Sequence, residues 1–182
     1  MIYQAPGKND PVDQADLVDG CPVLSLEEYD PDTQNPPRVQ VAPARVVVLT
    51  QTCDLANRKT TMATVAVVHE ARFLIEKGLI KPADVRGPIR AGRVFGWYFL
   101  PASSELGLPE MIVDLRQLHT VQLELLTSLC QRGLRRARIM PPYREHLAKH
   151  FGDTFSRIGL PEPYDTEARA AVRELHGSRS MT

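Results

Sequence analysis

The sequence has few cysteines and no long apolar run. Its 182 residues include Cys21, Cys53 and Cys130, which are widely spaced and form no C-x-x-C pair. This pattern disfavours a disulfide scaffold or a zinc site and favours a reducing compartment. The longest apolar stretches, such as residues 46–49, are far shorter than the roughly 20 residues that a membrane-spanning helix needs. We therefore expect a cytoplasmic protein with no membrane contact, metal or cofactor.

Two further features are missing. The first nine residues are broken by Pro6, Gly7 and Asn9 and contain no basic segment leading into an apolar one, so they predict no export signal. The chain also lacks an excess of charge, because 22 Lys and Arg balance 22 Asp and Glu. A neutral chain disfavours a protein whose whole surface binds nucleic acid.

The charges are nevertheless unevenly distributed. Residues 10–32 contain eight acidic residues and no Lys or Arg, whereas residues 132–144 contain five arginines and no acid. Arginine presents a planar fork that suits phosphate, so Arg132, Arg135, Arg136 and Arg138 are candidate nucleic-acid ligands. The alternative is that these arginines pair with the acidic N-terminal region of the same or another chain.

The order of apolar and turn-forming segments predicts a mainly β domain with some helix. Residues 1–14 are interpreted as an irregular arm, 15–160 as a small antiparallel β-barrel domain with a helix inserted near 70–78, and 161–182 as a tail with a short helix. Val and Thr enrichment predicts two paired central strands at 44–50 and 61–68. Residues 94–100 and 111–113 are further strand candidates. Residues 118–125 fit either a strand or the start of a helix, and apolar spacings of four, four and three predict an amphipathic C-terminal helix over 142–158.

Two stretches resemble the MazF/PemK superfamily of growth-inhibiting ribonuclease toxins. The first is Ala-Arg-Val-Val-Val-Leu-Thr at 44–50 together with Thr-Met-Ala-Thr-Val-Ala-Val-Val at 61–68, which is similar to that family's adjacent central strands. The second is Met-Ile-Val-Asp-Leu-Arg-Gln-Leu-His-Thr-Val at 111–121, which resembles its late strand pair. The resemblance implies an SH3-like barrel.

The resemblance also implies a function. Members of this family cut single-stranded RNA without a metal, using a basic residue before the first central strand and a Thr or Ser at the start of the second. The matching positions are Arg45 and either Thr60 or Thr61, although the arginine lies one place from its position in the family pattern and no Arg-Pro pair occurs there. On this interpretation Arg45 stabilises phosphate charge and the threonine positions the phosphate, with His119 as a further nucleic-acid ligand.

A polar stretch, Thr-Gln-Thr-Cys-Asp at 50–54, follows the strongest strand. Polar groups at a strand end can project from a rigid support into a cleft, so Cys53 is a candidate nucleophile and Asp54 a candidate acid-base group. The alternative is that Cys53 fills a small apolar space and Asp54 caps the following turn.

The sequence thus leads to two main hypotheses, beside a third class, a cysteine-dependent enzyme centred on Cys53. The first is an RNA-binding protein that acts as a metal-independent endoribonuclease toxin. The second is a non-catalytic SH3-like module in a bacterial or phage regulatory or defence system. The expected partners are single-stranded RNA, an antitoxin or another protein. The sequence leaves open whether the chain forms a homodimer.

Overall fold

A computed structural model describes residues 1–32, 36–57 and 59–156. Seven strands form one antiparallel sheet, and each pairs with its neighbours in the order β1-β7-β2-β3-β4-β6-β5. The strands are β1 (Tyr3–Gln4), β2 (Asp16–Glu28), β3 (Arg38–Val48), β4 (Met62–Glu70), β5 (Trp97–Leu100), β6 (Met111–Gln122) and β7 (Arg135–Ile139). The fold is therefore mainly β, as the sequence predicts.

The helices lie in the connections and after the last strand. They are α1 (Thr52–Ala56), α2 (Ala71–Glu76), α3 (Pro82–Asp84), α4 (Leu123–Gln131) and α5 (Tyr143–Phe155), with a π-helical turn at Val85–Ile89. The inserted helix expected near 70–78 is α2. The helix expected over 142–158 corresponds to α5, and its last predicted residues lie outside the described residues, as does the tail at 161–182.

The two central strands pair as predicted. Val47 and Val48 of β3 lie opposite Ala66 and Val65 of β4, and all four side chains are buried. Because successive side chains of a strand point to opposite faces, both faces of this strand pair carry apolar groups and both must be covered. The central part of the sheet is consequently a layer between two cores.

One core lies inside the curve of the sheet and the other lies beneath α4. The first is built from alternate residues of nearly every strand, including Leu17, Val47, Val113 and Ile139. In the second, Val46 and Val65 pack with Leu126 and Leu129 of α4. A smaller cluster joins α2 to the π-helical turn.

The two edge strands approach each other at one point. The Tyr3 hydroxyl of β1 donates a hydrogen bond of 2.8 Å to the carbonyl of Pro101, the residue after β5. Burial keeps this hydroxyl neutral by raising the Tyr3 pKa above its ordinary value. No backbone ladder joins β1 to β5 within the described residues, so the sheet is strongly curved and remains open along this line.

Three segments differ from the sequence interpretation. Tyr3 and Gln4, expected in an irregular arm, form β1 and pair with β7. The arginine-rich connection at 135–139 is itself β7. The ambiguous stretch at 118–125 divides at Gln122, where β6 ends and α4 begins. β2 and β3 extend beyond the sheet as a two-stranded ribbon whose apolar residues Leu24, Leu26, Val39 and Val41 are exposed.

Candidate functional site

Polar side chains gather where β3 ends and β4 begins. Four threonines, two oppositely charged groups and one methionine line an open cleft of about 430 Å³, which we call the threonine cleft: Thr50, Asp54, Lys59, Thr60, Met62, Thr64 and Thr120. A second cleft of about 580 Å³ adjoins it and shares Thr60 and Met62. The remaining lining of this second cleft is Thr61, Gln122, Leu123, Glu124 and Thr127. The predicted residues Asp54, Thr60 and Thr61 therefore lie along one continuous surface.

The threonine hydroxyls are held by local backbone contacts. Thr60 Oγ1 accepts from the Met62 amide at 3.0 Å and donates to the Met62 carbonyl at 2.7 Å. Thr50 Oγ1 accepts from the Thr64 amide at 2.8 Å, which ties the end of β3 to β4. A hydroxyl oxygen has two lone pairs, so each of these groups keeps one acceptor position. The cleft thus presents fixed hydroxyl oxygens without a strong base.

Cys53 and Asp54 lie at the start of α1, beside the threonine cleft. The Cys53 thiol is exposed and points to Gln51 Oε1 at 3.6 Å and Asp54 Oδ1 at 3.7 Å. Asp54 also lies 3.6 Å from Lys59 Nζ. Among the described residues Cys53 contacts no imidazole or cation, and such a neighbour is what activates a thiolate. The geometry gives this cysteine an acidic environment.

His119 faces away from the threonine cleft. It pairs with Val65, whereas its neighbour Thr120 pairs with Thr64. Because adjacent strand residues point to opposite faces, Thr120 lines the cleft while His119 lies on the face of the sheet that carries α4. The imidazole is therefore not positioned to act with Thr60 or Asp54.

Arg45 lies at the other end of the central strands. Its neighbour Val46 pairs with Val67, so Thr61 is about 20 Å away along β4 at roughly 3.3 Å per residue. The guanidinium is held by Asp19, with Nε 2.5 Å from Oδ1 and Nη2 3.1 Å from Oδ2. This hydrogen bond raises the Arg45 pKa. The structure does not bring the predicted arginine and threonine together.

Two of the predicted phosphate-binding arginines form ion pairs within the protein. Arg135 Nη1 lies 2.9 Å from Asp16 Oδ2, and Arg138 Nε lies 2.6 Å from Asp16 Oδ1. Both guanidinium groups also donate to the carbonyl of Pro11. These ion pairs and hydrogen bonds engage both guanidinium groups within the protein, and the Arg135 side chain is 2% exposed. The alternative considered from the sequence, pairing with the acidic N-terminal region of the same chain, is what the structure has.

The other two arginines of this segment are more accessible. Arg132 follows α4 and is exposed. Arg136, on β7, lies 3.8 Å from Asp19 with a side chain that is 39% exposed. An ion pair at this distance on the surface contributes little, so the Arg136 guanidinium can exchange its partner.

The described residues contain no group of three or more His, Cys, Asp or Glu side chains placed to hold a metal ion. Within the same ranges, no helix has the length and apolar character required to cross a bilayer. Neither observation identifies a ligand.

Sequence reasoning missed part of the threonine cleft. Thr64 and Thr120 were counted only as strand residues, although they form a cross-strand pair on one face. The signal was present in the alternation of Thr60, Met62 and Thr64, because residues two apart in a strand share a face.

No family model and no curated protein matches this chain.

Proposed function

We propose that the chain is a non-catalytic binding module, built as an SH3-like barrel, that holds a segment of a protein partner along the threonine cleft and the cleft adjoining it. The curvature of the sheet supports the barrel. The Tyr3 hydroxyl of the edge strand β1 donates a hydrogen bond to the carbonyl of Pro101, which follows the other edge strand, β5. The module belongs to a regulatory or defence system of a bacterium or phage.

The observation that carries the proposal is the character of the two joined clefts. Among the described residues that line the clefts, Asp54 and Glu124 oppose one cation, Lys59, so these residues give no excess of positive charge. A nucleic-acid strand is held mainly through cations that neutralise phosphates, and the described lining residues do not supply such an excess. It supplies hydroxyl groups, the Gln122 amide and apolar contact.

Met62 gives the surface an adaptable apolar centre. It is 40% exposed and belongs to both clefts. Methionine is flexible and polarisable and is common on surfaces that accept varied side chains. A peptide segment offers backbone groups to the hydroxyls and an apolar side chain to Met62.

Peptides selected from a randomised display library on the wild-type protein test this proposal. We expect Met62→Arg to abolish binding of the selected peptides, because the new side chain fills the point where the clefts meet. The matched control is Leu79→Arg, which alters an apolar residue that is 64% exposed and lies outside both clefts. Equal losses in the two variants, or no selectable peptide, would overturn the proposal.

The endoribonuclease hypothesis is the second candidate, and one observation favours it: Thr60 and Thr61 both line the larger cleft. Its test is incubation of single-stranded RNA with the protein in EDTA. Cleavage that falls more than about tenfold in Thr61→Ala, but not in the exposed control Ser25→Ala, would replace the binding module by an enzyme. Intact RNA would remove the second candidate.

A further inference from the structure

A third cleft, lined by different kinds of residue from the threonine cleft, lies where the π-helical turn, β5 and α5 meet. Its volume is about 330 Å³, at the lower end of the range of small-molecule sites. The aromatic and charged lining is Tyr98, Phe99, Tyr143, His146 and Arg90, and the rest is Ile2, Ile89, Gly92, Leu100 and Pro101. We call it the aromatic cleft.

The floor of the aromatic cleft is a fixed phenol. Tyr98 is 6% exposed, and its hydroxyl lies 3.3 Å from both the Tyr143 carbonyl and His146 Nδ1. Since a carbonyl oxygen only accepts, the hydroxyl donates to Tyr143 and can accept from the His146 ring. Burial keeps it protonated by raising the Tyr98 pKa to about 12. The floor is therefore rigid and uncharged.

The rim carries one permanent charge, and that charge has no acidic partner. The Arg90 guanidinium lies 5.4 Å from the centre of the Phe99 ring. Within the part of the chain that the structure describes it makes no ion pair, and no Asp or Glu lines the cleft. An exposed arginine at the edge of an acid-free apolar cleft is complementary to an anion, which its planar fork binds through two parallel hydrogen bonds.

The backbone holds Arg90 at this rim. The residue follows directly on the π-helical turn Val85–Ile89, a rare irregularity that is frequent at functional sites. Gly92 then reverses the chain with a φ of +66° and donates to the Ile89 carbonyl at 2.9 Å. Only glycine adopts that φ without strain. The backbone thus places Arg90 where its guanidinium lies beside the Phe99 ring.

From the charge, the apolar walls and the volume we infer that the aromatic cleft binds a small carboxylic acid with a planar aromatic body. The ring of the ligand packs along the edge strand β5 beside Phe99, and its carboxylate binds Arg90. Inorganic phosphate fits less well, because it offers no apolar body to walls that are mainly hydrocarbon.

Fluorine NMR with para-fluorobenzoate tests this inference on the whole chain. We expect the wild-type protein to broaden the probe signal at millimolar concentration and the uncharged analogue para-fluorobenzamide to bind far more weakly. Arg90→Gln should weaken binding of the acid about tenfold or more, because it removes a charge-assisted hydrogen-bond pair. Arg86→Gln, which removes an exposed arginine of the same turn outside the cleft, should leave binding unchanged.

Several results would overturn the inference. These are an unbroadened probe in the presence of folded wild-type protein, equal binding of the acid and the amide, or equal binding by Arg90→Gln and the wild type. Displacement of para-fluorobenzoate by an equal concentration of inorganic phosphate would reject the aromatic carboxylic acid in favour of a simple anion. Circular dichroism confirms that each variant is folded before it is compared.

Discussion

Asp16 and Arg135 form an ion pair from which solvent is excluded: Nη1 lies 2.9 Å from Oδ2, and the two side chains are 0% and 2% exposed. Arg138 binds the other carboxylate oxygen. The guanidinium of Arg135 also donates to the carbonyl groups of Gly7 and Asp10. A buried charge is tolerated only when it is paired and hydrogen bonded. This arrangement fastens the N-terminal segment to β7.

Removing the charge of Asp16 should destabilise the protein strongly. Asp16→Asn leaves two guanidinium groups with one charged neighbour, Asp13, at 3.6 Å from Arg138. We expect a loss of about 3 kcal/mol in the free energy of unfolding, the lower end of the range for breaking a buried pair, because Asp13 compensates in part. Urea denaturation measures the change.

The matched control is Glu76→Gln, which breaks the exposed pair between Arg72 and Glu76. Exposed pairs of this kind contribute little, so its denaturation midpoint should stay close to that of the wild type. Similar midpoints for Asp16→Asn and Glu76→Gln would show that the buried pair does not stabilise the fold.

Two glycines should respond to alanine in opposite directions. Gly96 has a φ of +82°, and a Cβ there would lie 2.9 Å from Arg116 Cγ and Cδ, so Gly96→Ala should cost about 1–2 kcal/mol. Gly152 lies inside α5 with no atom within 4 Å of an added Cβ, so Gly152→Ala should stabilise by about 0.5–1 kcal/mol.

Thermal unfolding measures the stability of both glycine variants, and tryptophan fluorescence tests the steric explanation for Gly96→Ala. The Arg116 guanidinium lies 4.1 Å from the centre of the Trp97 ring. Displacement of Arg116 by the new methyl group should change the emission of this single tryptophan in the folded state. Gly152→Ala should leave the emission unaltered, and a shift in both variants would contradict the steric explanation.

Stability should fall in alkaline solution, and the buried Tyr98 phenol should contribute to the fall. Burial raises the Tyr98 pKa from 10.0 to about 12. A raised folded-state pKa means that the unfolded chain loses this proton first, so stability is full below pH 10 and declines as the pH rises toward 12. Tyr98→Phe removes the titrating group and should flatten this part of the profile of unfolding free energy against pH. A profile as steep as that of the wild type would assign the decline to other groups.

The three cysteines should differ sharply in reactivity. Cys53 is exposed, whereas Cys21 is fully buried and burial raises its pKa to about 11. Burial also raises the pKa of the Cys130 thiol. Because the thiolate is the reacting species, a thiol reagent should modify one cysteine in the native protein and all three after denaturation. Cys53→Ser should abolish the native reaction, and a residual reaction would show that the sheet opens near Cys21 or Cys130.

The elements that the sequence predicts are those whose pattern lies within a short stretch of the chain. The β3–β4 pair follows from runs of valine and threonine, and α2 from a short helical pattern ended by a glycine. β7 was missed because its three arginines, Arg135, Arg136 and Arg138, suggest a solvated or phosphate-binding loop. Asp16, which makes burial of two of them tolerable, lies 119 residues from Arg135 in sequence. A pattern confined to one window contains no information about such a partner.

The candidate site likewise contains some residues that the sequence identifies and some relationships that depend on the fold. Asp54 follows from the polar stretch after β3, whereas Thr60 and Thr61 follow from the family resemblance; all three line one surface in the structure. The separation of Arg45 from Thr61 follows from the antiparallel pairing of β3 with β4, which places Arg45 beside the end of β4 and Thr61 before its start. The aromatic cleft joins residues near 90, 98 and 146, and no motif connects them.

The position of β7 between β1 and β2 affects the order of events during synthesis. Leu17 pairs with Val47 on one side and with Ala137 on the other. During synthesis β2 is therefore made long before β7, its partner along one edge. Until residues 135–139 leave the ribosome, the free edge of β2 is open to wrong pairing, and Asp16 lacks both of its arginines. Contacts so distant in sequence slow folding, so we expect the pairing of β7 with β2 to be a late step in the folding of this sheet.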